Sequence, residues 1–490
     1  MRKLSPTSWV TAQNLFKQGF SIALFAIQAP MLGPHAFGLI ALVMVFIGFC
    51  EAVLEIAATD ALVSVTDIDE RHYATMTTVN VVAGVVLGVL IFAGAPWIAA
   101  NLREPELTSI LRFMAPLPIL TVLTSAPSAA CRRELNFQPL VTRIVLSTTV
   151  GGAVGLILTF LQYGVWALVW QATLQRVLNV AILWRLVKIP FRLGFSAPHF
   201  RELRRYGGPM ALSQVMAWAG DQIPRYVLGL YLGASELGLF SLAARLCEIV
   251  TQLAVSPRYG VARIEMRQFR ENHAGINEAM RRILVQMSAL AFPLCVGGAA
   301  VMPSLFSAWL NARWSGGVLP AQLMLLGIVP QVTHYALSAA ILGANRQSAI
   351  AINATAQTII LTLVSLVFAP LGLYAATAAI ACRPLLTSVF PLMFARRYCD
   401  IEPGKVLSAQ LPALSAACIS GIVAFAGQWL LAPHVNSVAL LVLLVLAGGI
   451  TYAAASAWLM PEFAAQMSAR LGRRRSPDPV SAGRPEPPAQ

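Results

Sequence analysis

From residue 9 to residue 458 the chain is a near-continuous series of apolar stretches, each about the 20 residues that an α-helix needs to cross the hydrocarbon core of a bilayer. Spans are predicted over 9–32, 37–58, 74–100, 107–130, 140–161 and 163–186, and again over 207–232, 236–258, 282–308, 320–343, 348–368 and 371–394. Two more follow at 410–431 and 436–458, about fourteen in all. Water is absent from the bilayer core, so backbone groups there must bond within the chain, and long apolar stretches become helices. The implied class is an all-α integral membrane protein. Composition agrees: 57% of the residues are apolar and 11% charged, against about a quarter charged in a soluble domain. The first stretch, near 8–32, lacks an A-x-A cleavage site and is expected to be retained as a helix.

The charges that remain are distributed unevenly. Arg132-Arg133, Lys188, Arg192, Arg201, Arg204-Arg205, the arginines from 258 to 282, Arg346, Arg396-Arg397, Lys405 and Arg470 to Arg475 all fall in alternate connections. The opposite connections hold only Arg103 and Arg313. The positive-inside rule then places both termini on the cytoplasmic side of a bacterial inner membrane. The same distribution accounts for the net charge of +14 by contact with anionic lipid headgroups, and nucleic acid is not an expected partner. The tail from Pro477 onward, rich in Pro, Ser and Gly, is expected to be disordered. In 196–206, Ser196 is placed to cap a short helix with Phe200, Leu203 and Tyr206 on one face. Such a helix would lie in the headgroup plane or serve as a surface linker.

An internal repeat divides the chain. Leu32-Gly33-Pro34-His35-Ala36-Phe37-Gly38-Leu39 and Leu232-Gly233-Ala234-Ser235-Glu236-Leu237-Gly238-Leu239 share the pattern LG-x4-GL at the turn between the first two spans of each half. Six spans per half give the copies the same orientation, so the expected arrangement is two six-helix lobes related by a parallel repeat. The boundaries follow as 1–195 for the first lobe, 196–395 for the second, 396–460 for two C-terminal helices and 461–490 for a basic tail.

Ionisable groups inside spans cost several kcal/mol unless paired or wet, so each marks a candidate site. Lys17, Arg176 and Arg383 have no local counter-charge and need a water-filled cavity or a carboxylate from another helix. Asp221 with Arg225, and Arg245 with Glu248, are spaced to pair within their own helices. Glu51 and Glu55 lie one turn apart, placed to carry a coupling proton or to pair with Lys17. The candidate binding set of Lys17, Arg176, Arg225, Arg245 and Arg383 is cationic, which suits an anionic, phosphate-bearing substrate. Prolines recur within spans at 96, 116, 118, 127, 224, 293, 330 and 384, where each removes a helix hydrogen bond.

Enzymatic signatures are missing. The single Gly-Lys pair, Gly404-Lys405, is followed by Val406 and is no phosphate loop. The histidines at 35, 72, 199, 273, 334 and 434 show no ligand spacing, so neither a metal nor a cofactor is expected. The seven cysteines form no CxxC pair.

Several motifs resemble the polysaccharide transporter branch of the multidrug/oligosaccharidyl-lipid/polysaccharide flippase superfamily. Arg132-Arg133-Glu134-Leu135-Asn136-Phe137 resembles its RREL-x-F element, and Gly164-Val165-Trp166-Ala167-Leu168-Val169 its G-x-WALV opening of span six. Leu228-Gly229, Gly233 and Gly238-Leu239-Phe240-Ser241-Leu242-Ala243 with Arg245 are similar to its second-lobe signature. Pro30 and Pro224 depart from the family pattern, which has Arg and Asp there. The resemblance implies a flippase for an undecaprenyl-pyrophosphate-linked oligosaccharide in exopolysaccharide or lipopolysaccharide assembly, coupled to H+ or Na+ and working beside other assembly proteins. A multidrug or cation exporter of the same superfamily and a non-transporting membrane scaffold are the alternatives.

Overall fold

A computed structural model describes residues 6–65, 67–187, 192–269, 275–344 and 346–461; the tail expected to be disordered lies outside them. Every described element is helical. Eleven stretches among the described residues are long and apolar enough to cross a bilayer, and a further 22-residue helix, Val165–Leu186, fills the predicted stretch 163–186. Val82, Val85, Val89, Leu90 and Trp97 on one helix, and Trp429 and Trp458 near the end of the chain, are all largely exposed. An apolar surface on this scale is favourable against lipid and unfavourable in water.

Two of the eleven stretches, Gln13–Cys50 and Gln214–Arg267, each cover two predicted spans. Where a loop was expected, one non-helical residue suffices: Gly33 at φ 78°, ψ 171° and Gly233 at φ 80°, ψ 177°. This backbone region is closed to residues with a Cβ, which is why glycine holds both positions. The chain folds back at Gly33, since Phe25 and Phe37 meet edge to face with centroids 5.1 Å apart. A π-helical turn follows at the same distance past each glycine, over Glu51–Ile56 in the first copy and Thr251–Val255 in the second. Both halves of LG-x4-GL therefore carry the same backbone landmarks.

Cα packing divides the chain into two compact units. The first comprises the residues up to Leu246 with Phe306–Met324 and Ala351–Thr387. Within it the two repeat motifs touch reciprocally: a Cβ on Gly38 would overlap the Ala234 carbonyl, and one on Gly238 would overlap the Pro34 carbonyl. Close backbone approach at small residues is the usual way apolar helices associate in lipid.

Proline chemistry is balanced in the same unit. Pro30 and Pro34 lack N–H groups, and Gly33 is out of the helical register, so the carbonyls of Ala26, Pro30 and Ala29 lose their helical donors. Trp309 Nε1 donates to Ala26 O at 2.7 Å, Asn311 Nδ2 to Pro30 O at 2.6 Å and Trp314 Nε1 to Ala29 O at 2.9 Å. At the second kink it is a donor that needs a partner: Glu104 Oε1 accepts from Ala234 N at 2.9 Å, while its Oε2 lies 3.1 Å from His35 Nε2.

The segment 196–206 begins a helix that runs from Ala197 to the Gly233 kink. Leu203 is buried among Ala58, Ala61, Leu62, Val65, Met76, Ala126 and Ala129 while Arg201, Arg204 and Arg205 are exposed. The segment is not a separate helix: it is continuous with the chain up to the Gly233 kink, and Leu203 fills the recess these alanines leave. The Tyr206 side chain lies outside the described residues.

The second unit comprises Cys247–Leu305, Leu325–Ile350 and the described residues from Ser388 on. Its last two helices, Leu411–Leu431 and Ser437–Leu459, pack through Ser420, Ala424 and Gly448, and Ser420 Oγ donates to Gly448 O at 2.7 Å. Tyr452 OH donates to Ala289 O at 2.7 Å, the carbonyl that Pro293 leaves without a helical donor.

Candidate functional site

Five elements of the first unit, among them the short helix Leu117–Val122 with Thr121, converge on a polar cavity of about 220 Å3. Lys17 comes from the Pro6–Cys50 helix, Glu51 and Glu55 from the π turn, Arg143 from Gln138–Phe160, and Arg176 from Val165–Leu186. A π turn widens the helix and disturbs its hydrogen-bond ladder, a cost tolerated chiefly at functional sites. Here Asn80, itself buried, donates to Leu54 O inside the turn at 3.2 Å and to Ser125 Oγ at 3.2 Å.

The charges pair across helices. Arg176 forms an ion pair with Glu51, and its Nη1 donates to Thr121 Oγ1 at 3.4 Å. Arg143 Nη2 lies 3.6 Å from Glu55 Oε1. Arg176 and Glu51 remain 25% and 31% exposed, so the pair opens onto the cavity and is not sealed. Lys17, Arg143 and Arg176 against Glu51 and Glu55 leave one positive charge in excess, with Thr124, Gln175 and Asn179 as further hydrogen-bonding groups on the wall. Such a cavity can hold an anionic group by multiple charged donors while water screens the residual charge.

Of the residues singled out in the sequence, Lys17, Glu51, Glu55 and Arg176 are brought together here. Glu55 faces Arg143. Arg245 is half-buried and donates from Nη2 to Ser21 Oγ at 2.7 Å, one turn along the helix from Lys17. Glu248 accepts from Gln252 Nε2 at 3.0 Å. Arg225 and Arg383 are half-buried and do not line this cavity, and the Asp221 side chain lies outside the described residues. Arg143, outside the candidate binding set, joins them and carries the same signal as Arg176, a cation within an apolar span.

On another face of the same helix, at Cys50, lies an apolar cleft of about 430 Å3. Phe46, Phe49, Trp218 and Tyr226 line it; Phe49 and Trp218 meet edge to face at 5.1 Å, and Trp218 Nε1 donates to Val45 O at 3.1 Å.

Two sequence motifs acquire structural reasons. Arg133 donates to the carbonyls of Leu62, Val63 and Val65 at 3.2, 3.3 and 2.5 Å, capping the end of the Ala57–Ser64 helix. Gly164 sits at φ 58° before the Val165–Leu186 helix, a conformation favouring glycine at the head of its motif.

Comparison with known proteins places this architecture. The succinoglycan biosynthesis transport protein ExoT of Rhizobium meliloti (strain 1021) is 24% identical over 319 residues, covering 65% of this chain and 61% of that one. The teichuronic acid biosynthesis protein TuaB of Bacillus subtilis (strain 168) is 22% identical over 275 residues, covering 55% and 56%. The chain thus spans less than two thirds of the length of these curated relatives. Among solved structures, the lipid II flippase MurJ in an inward closed conformation superposes with a TM-score of 0.74 at 13% identity, over 94% of this chain and 99% of that one, so the two share a fold. A match over residues 27–319, more than half of the sequence, shows that this multi-pass helical membrane protein belongs to the polysaccharide biosynthesis protein family.

Proposed function

We propose that this chain is a transporter that moves an undecaprenyl-pyrophosphate-linked oligosaccharide from the cytoplasmic to the outer leaflet for exopolysaccharide or lipopolysaccharide assembly. The observation that carries this reading is the cationic cavity of Lys17, Arg143 and Arg176 in a membrane-spanning unit. A pyrophosphate needs several positive donors to leave the headgroup layer, since each unpaired charge at membrane depth costs several kcal/mol. The family and the named relatives, which make or export polysaccharides, support the substrate class. The neighbouring apolar cleft suits an isoprenoid chain, and its lining residues offer no carboxylate to balance an organic cation.

The ion pair suggests how coupling works. Glu51 holds Arg176. A proton, or a Na+ ion, arriving at Glu51 would neutralise that carboxylate and release the guanidinium to the substrate's phosphates, with Glu55 and Arg143 as a second pair of the same kind. Arg225, Arg245 and Arg383 extend the positive path, and Asp221 is a further acceptor for the coupling ion. Both termini face the cytoplasm in this scheme, and other polysaccharide-assembly proteins supply the lipid-linked unit.

Reconstitution in liposomes with a fluorescent lipid-linked oligosaccharide tests the reading. Arg176→Ala should reduce transport at least tenfold with normal insertion, and Glu51→Gln should transport without dependence on an imposed ion gradient. Wild-type rates from a properly inserted Arg176→Ala protein would overturn the assignment of the cavity.

A further inference from the structure

Two histidines far apart in the sequence meet at one acidic group. Asp69 precedes the Glu70–Asn101 helix, His72 lies in its first turn, and His199 lies in the first turn of the helix beginning at Ala197. Asp69 Oδ1 is 2.7 Å from His72 Nδ1, and Asp69 Oδ2 is 3.5 Å from His199 Nε2. One ligand atom from each of the three lies within 4.8 Å of the others. The imidazoles stand edge to face with centroids 4.4 Å apart.

The ring nitrogens that point away from Asp69 are also held. His72 Nε2 lies 3.2 Å from Glu202 Oε2, and His199 Nδ1 lies 2.5 Å from Ser196 Oγ. Such outer partners fix the tautomer and the aim of metal-bound histidines. Helix capping explains part of the cluster, because Asp69 accepts from His72 N at 3.0 Å and His72 Nδ1 accepts from Asp69 N at 3.3 Å. Capping does not explain His199, which brings a second imidazole to the same carboxylate.

We propose that Asp69, His72 and His199 form a site for a divalent transition metal of the Zn2+ class, bound through the Asp69 carboxylate, His72 Nδ1 and His199 Nε2. Two imidazoles and one carboxylate are a borderline N/O donor set suited to such ions, and Ca2+ or Mg2+ would call for more oxygens. Ligand distances of about 2.0–2.2 Å require the half-exposed Asp69 side chain to rotate so that the metal replaces the Asp69 N–H at the His72 Nδ1 lone pair, and the partly exposed His199 side chain to swing inward. A fourth, open position on the Asp69 side takes water. Glu202 and Ser196 stay outside the coordination sphere as orienting partners.

The site has a mechanical setting. The segment before His199 is already fastened along the Glu70–Asn101 helix: Gly194 N donates to Thr78 Oγ1 at 2.9 Å and Ser196 N to Thr75 Oγ1 at 3.2 Å. Bound metal adds a coordinate link at the point where the first repeat hands over to the second.

Binding of Zn2+ alone to the purified full-length protein, followed by calorimetry and by elemental analysis after dialysis, tests this. One ion per chain is expected, lost in His199→Ala and weakened about 10–100-fold in Glu202→Gln. Co2+ should give visible bands of a nitrogen–oxygen site with no thiolate charge-transfer band, which separates the cluster from the free cysteines without any mutation. Absence of stoichiometric Zn2+ binding, binding unchanged in His199→Ala, or a thiolate band would each overturn the proposal.

Discussion

The kinks at Gly33 and Gly233 have nearly the same dihedral angles yet opposite needs. Around Gly33, two prolines and the glycine strand three carbonyls, and the solution is three donors, Trp309, Asn311 and Trp314. Around Gly233 no proline follows, Ala234 keeps an N–H to offer, and the partner is the carboxylate of Glu104. A repeated backbone shape does not dictate repeated chemistry: it creates a backbone group to satisfy, and local sequence decides its sign. The π turns teach the same lesson. The first carries Glu51 and Glu55 into the polar cavity, whereas Thr251 and Val255 hold the matching positions of the second. One copy of the motif carries the carboxylates.

The sharpest way to break this comparison is at the crossing. Gly38→Val and Gly238→Val should each cost about 3 kcal/mol or more, because the added carbons overlap a backbone carbonyl that cannot rotate away. Both should abolish monodisperse protein on size exclusion; tolerance of one and not the other would end the claim of reciprocity. Next come Gly33→Ala and Gly233→Ala, each expected to destabilise by ~1–3 kcal/mol through backbone strain alone. Equal falls in melting temperature sharpen the equivalence of the kinks, and a large inequality breaks it. Trp314→Phe keeps the ring but removes the donor to Ala29 O in a fully buried position, at a cost of about 1–3 kcal/mol. Glu104→Gln retains an acceptor for Ala234 N and should cost about 1 kcal/mol or less, so its melting temperature should sit between those of wild type and Glu104→Ala.

Much of the fold was legible because the signals are local. Stretch length and apolarity located the helices, and the repeat pointed to both glycine kinks before their dihedral angles were known. Lys17, Glu51, Glu55 and Arg176 were marked by the cost of charge in lipid, a property each residue carries alone. What stayed hidden depends on partners. The Glu51–Arg176 pair joins residues on separate helices, and nothing at position 51 announces a π turn. His72 and His199 show no ligand spacing, since a metal-ligand pattern is readable only when one local segment supplies the ligands. Pro34 falls in the expected connection and Pro30 near the end of the span 9–32, and neither position tells which distant donors answer the carbonyls they strand.

The reciprocal contact of Gly38 with Ala234 and of Gly238 with Pro34 bears on how the two halves could diverge. The π turns differ, with Glu51 and Glu55 in one copy and Thr251 and Val255 in the other. At 38 and 238 a side chain added in one copy presses on the backbone of the other, so neither glycine can be replaced without strain across the crossing. A few letters of LG-x4-GL remain readable where the copies press together, while most of the surrounding text has been rewritten.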